Sequence, residues 1–258
     1  MMRVIDSHVH LDARQFIGEV DETIARAQAA GVEKMIQIGC DLASSQFSLA
    51  LARKHDGVFP AIGFHPSDLS DYDQHEPAWI QLVAQPEVVA IGEIGLDYHW
   101  DHFPREEQKR VFLRQLDVAK QYHKPVIIHD RDAHGDIIEI LRQESKYLPG
   151  GVMHCFSGSW EMAKLCLNWG FYISFAGPLT FPKSNKLKEI AGLVPLDRIL
   201  IETDCPYLAP QVYRGKRNEP AYVVEQAKAI ADIRNLSWED AANRTRMNTE
   251  QLFGLKKS

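Results

Sequence analysis

The feature that most limits the fold of this chain is an alternation. Short β-branched runs ending in a polar residue or glycine recur, and amphipathic stretches follow them. The strand-like runs are Arg3–Asp6, Lys34–Ile38, Val58–Gly63, Val88–Glu93, Pro125–His129, Gly151–His154, Phe171–Ser174 and Ile199–Glu202. Helical spacing fills Gly18–Ala30, Ser44–Lys54, Pro104–Tyr122, Gly135–Glu144, Glu161–Trp169, Lys183–Leu193, Pro220–Arg234 and Ser237–Phe253. Gly31 is placed to end the first helix, and Ser237 with Asp240 to start the last. Strands that alternate with helices pair in parallel through right-handed crossovers. Eight such runs in 258 residues predict a (β/α)8 TIM barrel, as one domain over residues 1–258. The rival open sheet wants a glycine-rich phosphate loop after its first strand. Here the first strand runs into Asp6-Ser7-His8-Val9-His10 instead.

Composition excludes whole classes of function. Hydrophobic residues at 45% and charged residues at 25% rule out a disordered or fibrous chain. A net charge of −6 argues against coating nucleic acid through global charge, while leaving room for a local basic groove. No apolar run approaches the length of a membrane span, so no membrane partner is expected. The four cysteines, Cys40, Cys155, Cys166 and Cys205, form no CxxC pair and no secreted framework. They read as reduced thiols in a cytoplasmic protein. Asp6 and His8 come too early for a signal peptide. Nothing in the sequence points to an obligate protein partner.

In a barrel enzyme the chemistry lies at the C-terminal ends of the strands. The first strand runs into His8 and His10, and the third into His65. The fourth ends at Glu93, the fifth at His129 and the sixth at His154. The eighth runs through Glu202 to Asp204. Side chains alternate along a strand, so His8 and His10 share a face and can reach one ion. Asp6 shares that spacing, and Glu202 relates to Asp204 in the same way. Either carboxylate fits the usual partner of a metal-bound imidazole. Four histidines with Glu93 and Asp204 exceed one tetrahedral site and suit two divalent ions with a carboxylate between them. Mixed nitrogen and oxygen donors fit Zn, Mn, Fe, Co or Ni. Mg prefers oxygen and is the less natural occupant.

Seven segments in this order resemble the TatD family of metal-dependent deoxyribonucleases, within the amidohydrolase superfamily. They are Asp6-Ser7-His8-Val9-His10-Leu11, Gly63-Phe64-His65-Pro66, Gly92-Glu93-Ile94-Gly95-Leu96-Asp97, His129-Asp130-Arg131-Asp132-Ala133, His154-Cys155-Phe156-Ser157-Gly158, Glu202-Thr203-Asp204-Cys205-Pro206-Tyr207 and Arg214-Gly215-Lys216-Arg217-Asn218-Glu219-Pro220. The resemblance covers nearly the whole chain. It implies a TIM barrel with a binuclear site, one metal on His8, His10, Glu93 and Asp204. The other metal falls on Glu93, His129 and His154, with Glu93 bridging. It also implies that Asp204 acts as general base toward the attacking water, so that Asp204 and Glu93 carry the catalytic roles.

A metal site alone specifies hydrolysis but not the bond. Three features favour a phosphodiester, and with the family they point to a deoxyribonuclease acting from an end on single-stranded or frayed DNA. Arg131 lies two residues past His129, on the same strand face, and can clamp a non-bridging oxygen. Ser157 and Gly158 follow His154 and can offer backbone N–H groups to an anion. Arg214, Lys216 and Arg217 form a cationic loop beyond the eighth strand. His65, before Pro66, is either a phosphate contact or a structural histidine in a rigid turn. Tyr98, Trp100, Phe103 and Tyr207 lie in loops and either stack on bases or pack on the rim. The alternative function is a metallohydrolase of an amide, lactone or aminoacyl ester, because one barrel supports many chemistries.

Overall fold

A computed structural model describes residues 3–100 and 102–255. Its strands are β1 (Val4–Val9), β2 (Val32–Ile38), β3 (Val58–Ile62), β4 (Ala90–Asp97), β5 (Val126–Arg131), β6 (Gly151–Met153), β7 (Tyr172–Phe175) and β8 (Ile199–Ile201). Its α-helices are α1 (Val20–Ala29), α2 (Leu42–Lys54), α3 (Tyr72–Val83), α4 (Arg105–Tyr122), α5 (His134–Glu144), α6 (Trp160–Asn168), α7 (Asn185–Leu193), α8 (Val223–Arg234) and α9 (Trp238–Phe253). The strands follow one another in chain order through one eight-stranded sheet, as in a (β/α)8 TIM barrel. The chain forms two compact units, Met1–Gln37 with Ile173–Ser258, and Ile38–Tyr172. No helix among the described residues is long and apolar enough to cross a membrane.

Local signals set most boundaries. Gly31, at φ 96°, follows the last turn of α1 as expected of a C-terminal cap. The Ser237 side chain accepts the Asp240 N–H and starts α9. Asp41 and Ser44 form a reciprocal capping box on α2. α3 lies outside the expected helices, because Pro77 stands inside it and its buried residues, Tyr72, Trp79 and Val83, are widely spaced. Every residue of β1 and of β4 is buried. The polar side chains on these strands therefore sit in an interior where each needs a partner.

Two strand irregularities matter for the chemistry. From Asp6 to Val9 β1 advances three residues while β2 advances two, from Met35 to Gln37. From Ile91 to Ile94 β4 advances three while β5 advances two, from Val126 to Ile128. Each is one extra residue, a bulge that re-aims the side chains around it. One bulge holds His8 and the other Glu93. β4 and β5 also run past Glu93 and His129, so these residues lie within their strands and not at the expected ends.

Buried amides pin the strand ends. Gln108 and Gln115 lie two turns apart on one face of α4. Gln115 accepts the Phe64 N–H at 2.7 Å and donates to the Phe64 carbonyl at 3.0 Å, fixing the segment before His65. Gln108 does the same for Asp97, at 2.8 and 3.0 Å. In the first unit, Asn218 donates to the carbonyls of Thr203 and Tyr207 on either side of Asp204.

Candidate metal centre

In the first unit the backbone brings β1 to the segment after β8. The Asp204 N–H donates to the His8 carbonyl and the His10 N–H to the Cys205 carbonyl, both at 3.0 Å. Asp204 adopts φ 56°, a left-handed conformation that Asp tolerates better than most residues. The result is a tight donor set. His8 Nε2 and His10 Nε2 are 3.0 Å apart, and Asp204 Oδ1 is 3.4 Å from His10 Nε2 and 3.8 Å from His8 Nε2. Donors each about 2.1 Å from a tetrahedral ion lie about 3.4 Å apart. His8, His10 and Asp204 thus fit a divalent cation in spacing and in chemistry.

In the second unit the centre is one oxygen. Glu93 Oε1 is 2.6 Å from His129 Nδ1, 3.5 Å from His154 Nε2 and 3.9 Å from His65 Nε2. Glu93, His129 and His154 form a second group able to hold an ion. Gly95, at φ 146°, leaves room for this approach of strands, since a Cβ there would meet the His129 carbonyl oxygen at 2.0 Å. Burial lowers the proton affinity of the His129 ring, but Glu93 and Asp97 on its two nitrogens outweigh this and raise its pKa to about 9.

Asp97 was not anticipated from the sequence. Its Oδ2 lies 3.0 Å from His129 Nε2, and its Oδ1 accepts the N–H groups of His99 and Trp100 at 2.9 and 3.0 Å. This is the carboxylate behind an imidazole that orients metal-binding histidines. Its even spacing from Glu93 on the same strand is the signal that could have found it. Asp6 does a different job from the one expected. It accepts Thr203 N–H at 2.9 Å, Thr203 Oγ1–H at 2.6 Å and His8 N–H at 3.3 Å, and so holds Thr203 and the backbone at His8. The bulge after Asp6 breaks the alternation that would align it with the His8 and His10 rings. Burial pushes its carboxyl up to about 8, against those three donors. Glu202 is buried and accepts the Ser174 hydroxyl at 2.6 Å.

The sequence model of the TatD related DNase family matches residues 5–254. The chain belongs to that family. It is 45% identical over 251 residues to the uncharacterized metal-dependent hydrolase YabD of Bacillus subtilis, spanning 97% of this chain and 98% of that one. It is 38% identical over 258 residues to the 3'-5' ssDNA/RNA exonuclease TatD of Escherichia coli K12, spanning 98% and 99%. The crystal structure of the TatD homolog YjjV of Escherichia coli K12 superposes with a TM-score of 0.90 at 31% identity, covering 99% of each chain. This TatD-family chain is therefore a metal-dependent hydrolase with the TIM-barrel fold.

The remaining expected contacts of the TatD-family chain divide. The His65 ring packs edge-on to His129 with centroids 4.3 Å apart, and its Nδ1 accepts the Ser67 N–H at 3.1 Å. Its proton is therefore on Nε2, the nitrogen nearer Glu93. Arg131 is exposed, with its guanidinium 5.3 Å from the centre of the Trp100 ring. Ser157 is exposed in the turn after β6. Arg214 is exposed and lies over Phe181 at 4.7 Å, and Lys216 is exposed. Arg217 is engaged elsewhere. It donates to the Gln15 carbonyl at 2.5 Å and to both Glu19 oxygens at 2.9 and 3.1 Å, over the ring of Phe16. Arg217 thus braces the loop against the Gln15–Glu19 segment, whereas Arg214 and Lys216 are exposed.

Proposed function

We propose that the chain is a nuclease that uses two divalent ions to hydrolyse phosphodiester bonds of DNA, removing nucleotides from an end of single-stranded or frayed DNA. The observation that carries this reading is the pair of donor sets, His8–His10–Asp204 and Glu93–His129–His154. Support comes from Arg131, Arg214 and Lys216, exposed cations with no carboxylate partner among the described residues, and from the similarity to a 3'-5' ssDNA/RNA exonuclease. A neutral substrate has no use for such cations.

Bound divalent ions would supply Lewis acidity and a water acidic enough to attack near neutral pH. The chain's own groups do the rest. Asp204, partly open to solvent beside His10, takes up the proton of the attacking water. His65 presents Nε2–H on the Glu93 side, where it can donate to a non-bridging phosphate oxygen. Arg131 adds a charge-assisted donor two residues past His129. Ser157 offers a further donor after His154. Arg214 and Lys216 offer charge to further phosphates.

The test is cleavage of end-labelled oligonucleotides by protein loaded in turn with Mn, Zn, Co, Ni or Mg. Single-stranded DNA, duplex DNA and RNA are compared with a lactone, an amide and an aminoacyl ester. Stepwise shortening of single-stranded DNA is expected. Intact oligonucleotides with rapid turnover of a lactone, amide or aminoacyl ester would replace the nuclease by that hydrolase.

A further inference from the structure

The structure sorts the loop aromatics. Tyr98 is half-buried, its hydroxyl donates to Asp136 Oδ2 at 2.5 Å, and the Arg105 guanidinium lies over its ring at 4.2 Å. Phe103 is half-buried. Tyr207 and Trp100 are each 55% exposed. A lone exposed aromatic is ordinary on a protein surface and by itself indicates nothing. Trp100 differs in how it is held.

Three observations converge on it. The turn that carries Trp100 is fixed, because Asp97 Oδ1 accepts both the His99 and the Trp100 N–H. The other oxygen of the same carboxylate faces His129, so one side chain separates the Trp100 backbone from a ligand of the Glu93 donor set. Finally, the guanidinium of Arg131 lies over the indole, 5.3 Å from its centre, while the His99 ring meets it edge-on at 4.9 Å and the His102 ring lies near-parallel at 6.4 Å, leaving 55% of the residue exposed. Arg131 has no carboxylate partner among the described residues, and its charge remains available to an anion. A half-open indole on a hydrogen-bonded turn, beside an unneutralised guanidinium, suits a planar ring joined to a phosphate. The ring gains by stacking on the indole, and the phosphate by charge-assisted hydrogen bonds to the guanidinium.

We infer that Trp100 is the shelf on which a nucleobase of the bound strand stacks, and that Arg131 pairs with the phosphate of that nucleotide. This rests on the nuclease reading and adds the residue that senses the base. Stacking on an aromatic tolerates every base, so the shelf selects for the presence of a base and not for its identity.

The test uses metal-loaded wild type, Trp100→Phe and Trp100→Ala, with circular dichroism confirming the fold of each. Steady-state cleavage is measured on single-stranded oligonucleotides and on matched oligonucleotides in which one abasic residue is walked through the terminal positions. Trp100→Ala should raise KM on the ordinary strand by roughly five- to 150-fold, the range that loss of one stacked base implies. Trp100→Phe should retain most of the affinity. One abasic position should raise the wild-type KM by a similar factor and add little in Trp100→Ala, since the two changes remove the same contact. An unchanged KM in Trp100→Ala overturns the inference. So do abasic penalties that persist in full in that variant. If wild type cleaves no oligonucleotide, the nuclease reading falls and the shelf with it. If wild type cleaves and Trp100→Ala matches it, only the shelf falls.

Discussion

Replacing Asp97 by asparagine keeps the shape of the side chain and tests how the Glu93 donor set is held. In wild type, three donors converge on Asp97: the N–H groups of His99 and Trp100, and His129 Nε2 at 3.0 Å. Asparagine offers one oxygen and one NH2 group. With its oxygen on the two backbone N–H groups, its NH2 faces His129 Nε2, and two donors oppose each other. The imidazole then relieves the conflict only by moving its proton to Nδ1, the nitrogen 2.6 Å from Glu93 Oε1. A protonated nitrogen cannot ligate an ion. If the amide turns over, the conflict moves to the backbone pair. An unsatisfied buried donor costs about 1–3 kcal/mol. Loss of such a partner typically weakens metal binding about 10- to 100-fold. The comparison is best made at pH 9 by competition with a chelator. Below that pH the wild-type ring, raised to about 9, also has to shed a proton before it can bind a metal. Asp97→Asn should weaken one of the two ions by that factor and leave the His8–His10–Asp204 ion in place. A folded Asp97→Asn protein that binds both ions as wild type does would refute the role given to Asp97.

Three other outcomes follow from the geometry. Asp204→Asn and Glu93→Gln should each lower oligonucleotide turnover about 10²–10⁴-fold with the fold intact by circular dichroism, and near wild-type turnover in metal-bound Asp204→Asn would remove it as the base. Because His129 is protonated below about 9, metal affinity of the Glu93 set should rise about tenfold per pH unit from about 7 to about 9 and then level off; chelator competition across that range checks it, and a flat response contradicts it. Arg214→Gln with Lys216→Gln should flatten the slope of log affinity against log salt by about 1.4, from about 0.7 per phosphate contact on a single strand. Arg217→Gln should leave that slope alone and lower stability only slightly, since its pairing with Glu19 is exposed to solvent; equal effects of the two changes on the slope would return Arg217 to the substrate.

What was legible in the sequence was whatever depends on period. Alternating strands and helices gave the fold, because buried parallel strands and amphipathic helices carry different hydrophobic spacings. The grouping of His8 and His10 with Asp204, and of Glu93 with His129 and His154, was legible because each of these residues lies in or just after a strand, where the alternation of strand and helix places it. What escaped depends on a departure from period or on a contact distant in sequence. The extra residue between Asp6 and Val9 turned Asp6 toward Thr203, and no count along β1 shows a bulge. Arg217 looked like a third loop cation, but its partner Glu19 is 198 residues away in sequence. α3 was hidden by Pro77. Gln108 and Gln115 looked like ordinary helix residues until their amides were seen to clamp Asp97 and Phe64.

The proposed hydrolysis needs two donor sets that each hold a divalent ion. The most direct measurement is the number of ions bound per chain at saturation, taken on wild type and on His8→Ala with His10→Ala. Two ions are expected on wild type and one on the double variant, with oligonucleotide cleavage lost along with the missing ion. Saturation at zero on wild type, or two ions still bound by the double variant, would contradict it.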